Sequence, residues 1–97
     1  MNLRPFHLAI PVRDLNESID FYEKVLGCKR GRKDKQWVDY NLFGHQLVLH
    51  EDKNLIKKEH FNEVDGKSVP VPHFGVVLEW NEFKSFSNEL IKQKIDF

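Results

Sequence analysis

One phrase, written twice, constrains this chain more than any other feature. "HLAIP" at residues 7–11 and "HFGVV" at 73–77 each place a His before a large apolar residue, then a small one, then a β-branched one. Each phrase reads as a short apolar strand, and after each the pattern changes to helical spacing. Behind the first, Leu15, Ile19, Tyr22 and Leu26 form a stripe that Val25 widens. Asp14 is a good N-cap with Glu17 three residues on, and Gly27 is placed to end the helix in a left-handed conformation. Behind the second, Asn81 is expected to cap a helix whose apolar face is Phe83, Phe86, Leu90 and Ile91.

Between the two phrases, "WVDYNLF" and "HQLVLH" flank Gly44 and predict an antiparallel hairpin, with a shorter strand near residues 28–32 before it. The expected order is strand, helix and three strands over residues 4–50, a polar linker over 51–70, and a second strand and helix over 71–97. That is an internal repeat of a βαβββ unit within a single domain, broken off in its second copy. A second unit as long as the first would need at least ~20 further residues, because stacked repeats bury their faces against complete partners. The chain is therefore expected to be a truncated form. An unpartnered strand at 71–80 would expose an apolar edge, "FGVVLEW", which predicts a symmetric homodimer.

Composition narrows the classes of function. Hydrophobic residues make up 40% and charged residues 31%, which is a globular balance. Fifteen basic residues offset fifteen acidic ones, so no net field gathers nucleic acid or an anionic membrane. The one basic cluster, "KRGRKDK" at 29–35, contains an Asp and reads as a solvated loop. Cys28 stands alone, which excludes an internal disulfide and suits a reducing, cytoplasmic location. No apolar run approaches the ~20 residues of a membrane span.

The histidines carry the candidate chemistry. His7 and His73 occupy matching points of the repeat, and neutral imidazoles suit Fe²⁺, Mn²⁺ or Zn²⁺. The other reading of each is a strand histidine satisfied by a hydrogen bond. Strand alternation puts Gln46, Val48 and His50 on one face, so His50 is either a substrate-side acid or base or a polar rim residue. His45 at the turn and His60 in the linker are expected to be solvated. Trp37, Tyr40 and Phe43 are read as core or hairpin packing, or as the lining of an aromatic pocket.

The phrases "FHLAIPVRDL", "FYEKVLGC", "WVDYNLFGHQLVLH" and "VPVPHFGVVLEW" resemble the vicinal oxygen chelate superfamily of glyoxalases, bleomycin-resistance proteins and extradiol dioxygenases. The resemblance spans nearly the whole chain and is closest to small bacterial dioxygenases of the extradiol type. It implies an α+β fold of two βαβββ modules curled around a metal, of which this chain holds one module and the first strand and helix of another. It implies that His7 and His73 are metal ligands lying side by side, and that the third ligand, a Glu of the second module's last strand, falls beyond this sequence. Val48 stands where glyoxalases place a carboxylate. Two His and one carboxylate leave Fe²⁺ open to a chelating substrate and dioxygen, which points to the dioxygenase branch. The implied substrate is small and vicinally oxygenated. With two imidazoles alone the chain is expected to hold a divalent metal weakly or not at all, unless His50 or Glu79 completes the set. A metal-free binding module of the bleomycin-resistance kind, or an inactive fragment, are the competing readings.

Overall fold

Asp14 does what its position promises: its Oδ1 accepts the backbone N–H of Glu17 at 3.0 Å and starts α1, Leu15–Asp20. A second free N–H of that first turn, Leu15's, donates to Oε2 of Glu51 at 2.9 Å. A carboxylate from a distant strand thus pins the helix start, where the backbone dipole favours negative charge. The helix then widens into a π-helical turn, Phe21–Val25, and Gly27 at φ 71° ends it as expected. A computed structural model describes residues 3–56 and 60–96. Residues 57–59 of the expected linker, and the final Phe97, lie outside the described residues.

Four strands form the main sheet: β1 His7–Val12, β2 Lys29–Lys33, β3 Trp37–Leu42 and β4 His45–Glu51, in the order β1-β4-β3-β2. The β3–β4 hairpin closes on Phe43 and Gly44 at φ 49° and 88°, a two-residue turn that pairs Leu42 with His45. β1 lies parallel to β4, with His7 opposite Gln46 and Pro11 opposite His50. That pairing requires a crossover, and α1 supplies it.

Alternation sorts the sheet's side chains into two faces. Val38, Tyr40, Leu47 and Leu49 face α1 and bury themselves with Leu15, while Leu8, Ile10, Val12, Ile19 and Tyr22 pack around them. The other face carries His7, Ala9 and Pro11 from β1, Gln46, Val48 and His50 from β4, and Trp37, Asp39 and Asn41 from β3. The helix and its connections hold the first face shut and leave the second as a platform.

The second part departs from expectation in three places. Residues 51–70 are no structureless connection: β5, His60–Val64, and β6, Lys67–Val71, form a hairpin closed by Asp65 and Gly66 at φ 51° and 77°. The Asp-Gly pair is a strong two-residue turn signal, hidden by polar flanks that lack apolar alternation. The expected strand at 71–80 contributes only Val71 to a ladder, and residues 72–79 pair with no strand among the described residues. Helix α2 forms, but over Trp80–Lys92 with Glu79 at its N-cap, so Asn81 sits inside the first turn. The architecture is α+β, one complete βαβββ module with part of a second.

Candidate functional site

Three histidines have their ring nitrogens committed by what faces them. His7, exposed at the start of β1, places Nδ1 2.8 Å from Oε1 of Gln46, its partner in the parallel register. An amide oxygen only accepts, so Nδ1 of His7 carries the proton and donates it. The amide's orientation is set from its other end, where Nε2 of Gln46 donates to Oδ2 of Asp39 at 3.4 Å. His73 places Nδ1 2.7 Å from the carbonyl oxygen of Pro70, again an acceptor only. In both rings the neutral imidazole therefore keeps its lone pair on Nε2, the form a metal ligand requires.

His45 is the opposite case. Its Nδ1 accepts the backbone N–H of Phe6 at 3.0 Å, which places the ring proton on Nε2. The ring also lies 4.7 Å from that of Phe6. It is half-buried and structural, not the solvated turn residue that its neighbour Gly44 suggested.

The two candidate ligands have different surroundings. His73 lines a cavity of about 640 Å³ walled by Leu8, Ile10, Phe61, Val71 and Phe74, with His60 also at its lining. His7 is not part of that lining and projects from the platform face of β1, opposite to Leu8 and Ile10. Among the described residues, no three His, Cys, Asp or Glu side chains are grouped closely enough to hold an ion. The donor chemistry thus fits a divalent metal at each ring singly, and the described residues supply two such rings.

His50 shares the platform with His7, in register with Pro11 and Trp37. Four residues of strand rise separate it from the His7 row, about 13 Å. At that distance it can meet the far end of a substrate but not a metal held at His7. Glu79 is exposed at the start of α2. Trp37 is half-buried on the platform beside Arg32, whose guanidinium carbon lies 5.5 Å from the ring centroid. Tyr40 is core, 5.8 Å from the Tyr22 ring, and Phe43 meets Phe86 of α2 at 5.4 Å.

Sequence reading missed Asp39, which is 7% exposed on the platform side of β3. Its Oδ1 accepts the backbone N–H of Arg32 at 2.6 Å, where the β2–β3 register shifts between Arg30 and Lys33. Gly31 makes room for it, since a Cβ there would collide with the carboxylate. The Gly inside "KRGRK" was the available signal: a glycine within a strand marks a bulge or a close approach.

This architecture, with a platform beside a histidine-bearing first strand, can be compared with known proteins. The model of the Glyoxalase/Bleomycin resistance protein/Dioxygenase superfamily matches residues 4–95. The chain belongs to this superfamily. A glyoxalase/bleomycin resistance protein/dioxygenase from Alicyclobacillus acidocaldarius superposes with a TM-score of 0.75 at 34% identity, covering 96% of this chain and 65% of that one. This superfamily member thus spans about two-thirds of the length of that relative. An integron cassette protein from the mobile metagenome of a Halifax Harbour sewage outfall shares the fold at 24% identity and TM-score 0.68, over 92% of this chain and 69% of that one. Lactoylglutathione lyase from Agrobacterium tumefaciens does so at 18% identity and TM-score 0.61, over 94% and 70%. No helix among the described residues is long and apolar enough to cross a membrane.

Proposed function

We propose that this chain belongs to a divalent-metal-dependent site of the extradiol-dioxygenase type, acting on a small vicinally oxygenated substrate. His7 and His73 would bind the ion through Nε2. The observation that carries this reading is the shared polarity of the two rings: each donates Nδ1–H to an oxygen and keeps Nε2 for a ligand. A bound Fe²⁺ or Mn²⁺ would supply Lewis acidity toward the substrate's paired oxygens. The chain's own residues do the rest. The platform of Ala9, Val48 and Trp37 offers an apolar floor for the substrate, and His50 stands at its far end as an acid or base. For His73 to join His7, the unpaired stretch 72–79 has to settle against the platform side of β1. Exposed apolar groups on that stretch and on α2, including Val77 at 99% and Trp80 at 68%, favour a homodimer in which a second copy covers them.

Titration with Mn²⁺, followed by paramagnetic broadening of the histidine ring resonances, tests this directly. His7 and His73 should broaden together at a weak, sub-stoichiometric affinity, and His7→Ala or His73→Ala should each abolish the effect on the other ring. Broadening confined to other histidines would sink the assignment.

One observation favours a second reading, metal-free binding of a small apolar molecule: the cavity beside Leu8, Ile10, Phe61 and Phe74 is walled mainly by hydrocarbon. An apolar fluorescent probe that binds there unaffected by EDTA, and is lost in Phe61→Asp, would support it.

A further inference from the structure

His7 is the end of a chain of three side chains. The backbone N–H of Arg32 donates to Oδ1 of Asp39 at 2.6 Å; Nε2 of Gln46 donates to Oδ2 of Asp39 at 3.4 Å; Nδ1 of His7 donates to Oε1 of Gln46 at 2.8 Å. Asp39 is nearly buried, and Nε of Arg32 lies 3.7 Å from its Oδ2. Every donor in this chain points toward the carboxylate. Turning the Gln46 amide over would set its oxygen against Oδ2, two acceptors with no hydrogen between them. We propose that Asp39 and Gln46 are positioning residues that fix the tautomer of His7, the buried carboxylate orienting the amide and the amide orienting the imidazole. The relay's use, an Nε2 lone pair aimed away from the sheet, rests on the metal-site reading above; the relay itself does not.

The geometry makes a sharp test. In Asp39→Asn, the N–H of Arg32 still demands an oxygen, so the new side chain must place its carbonyl there and its NH₂ toward Gln46. Gln46 then answers with its oxygen and turns its own NH₂ to His7. Nδ1 of His7 becomes an acceptor and the ring proton moves to Nε2. The substitution is isosteric: the Arg32 N–H bond keeps its direction, and the bonds from residue 39 to Gln46 and from Gln46 to His7 stay in place with theirs reversed.

Two-bond ¹H–¹⁵N correlation spectra of the ¹⁵N-histidine-labelled chain, recorded where the rings are neutral, report each tautomer. In the native chain His7 should carry its proton on Nδ1, while His45, whose Nδ1 accepts from Phe6, should carry it on Nε2 in the same spectrum. Asp39→Asn should switch His7 alone. Should that variant fail to fold, Gln46→Met at the exposed position 46 removes the amide and should release His7 from its Nδ1–H form. A native His7 protonated on Nε2, or a His7 signal unmoved by both variants, overturns the relay. Mn²⁺ titration of the same samples separates the two ideas. Affinity lost roughly 10–100-fold with the switched tautomer supports both. A correct native tautomer with no broadening of His7 by Mn²⁺ sinks the metal reading and leaves the relay standing.

Discussion

Residues 7–51 and residues 60–96 are both rich in large apolar side chains, yet they end in opposite states. The first stretch buries Val38 and Leu49 completely and leaves Leu47 and Tyr40 at 1% and 2% exposure. The second has no buried residue among those described; Trp80, Phe83 and Ile91 of α2 remain 68%, 49% and 59% exposed. Apolar content does not explain the contrast. Topology does: the crossover helix lets β1 close a four-stranded layer, and that same helix covers the layer it created. Among the described residues the β5–β6 hairpin pairs only with itself, and a two-stranded ribbon is at best marginally stable alone.

If that contrast is right, the largest effects lie in the first stretch. Leu49→Ala should cost about 2–5 kcal/mol, measured by chemical denaturation, because the cavity it leaves has no solvent to fill it. An equal loss from truncating a half-exposed residue of α2 would break the comparison. Next is Gly31→Ala. The added Cβ must displace the Asp39 carboxylate from the Arg32 N–H, leaving a buried acceptor short of its donor, at a cost of about 1–3 kcal/mol. A neutral outcome would mean that β2 shifts freely and that Asp39 is not held.

A smaller effect tests the electrostatics that join helix to sheet. One oxygen of Glu23 accepts both the Tyr40 hydroxyl at 2.7 Å and Nε of Arg30 at 2.6 Å. Those two hydrogen bonds, Tyr40's the larger, hold the Glu23 carboxyl below its ordinary range. Burial first, then the bond to Glu23, pushes the Tyr40 phenol up. The signs follow. The Glu23 contribution is present above the ordinary carboxylate pKa and disappears as pH falls through its lowered folded value. The Tyr40 contribution is present below the ordinary phenol pKa and is lost as pH rises toward its raised one. Glu23→Gln should flatten the acid limb of a stability–pH profile, by under about 1 kcal/mol given its solvent exposure. An unchanged acid limb would place the helix–sheet link elsewhere.

What the sequence disclosed follows the same division. Asp14, Gly27 and Gly44 act through their immediate neighbours, so the helix start, its end and the β3–β4 turn were all readable. The apolar run after His73 was equally clear as a pattern, but a strand needs a ladder partner, and no local sequence contains one. The π-helical turn at Phe21–Val25 inserts a residue that periodicity at 3.6 does not register. In the site, the face of Val48 and His50 followed from alternation. Asp39 did not, because it depends on a bulge in another strand. The ring polarity of the histidines depends on Gln46 and on the Pro70 carbonyl, contacts that only the folded chain makes.

The smallest expected change in stability is also the one that reaches furthest into how the chain works. Replacing Phe83 and Ile91 together by Ser removes two half-exposed groups from the face of α2. Trp80 loses its stacking partner at 5.9 Å, but no buried contact is broken, so each change should stay near 0.5 kcal/mol in denaturation at high dilution. Self-association should respond far more. If a second copy covers this face, its apolar area is removed from water only in the dimer, and each lost side chain weakens the dimer while leaving the monomer nearly as it was. Sedimentation equilibrium at micromolar concentration should find the native chain dimeric and the double variant shifted toward monomer. A native chain that sediments as a monomer would mean that α2 tolerates its exposure, and that the second stretch needs no partner to remain folded beside the first.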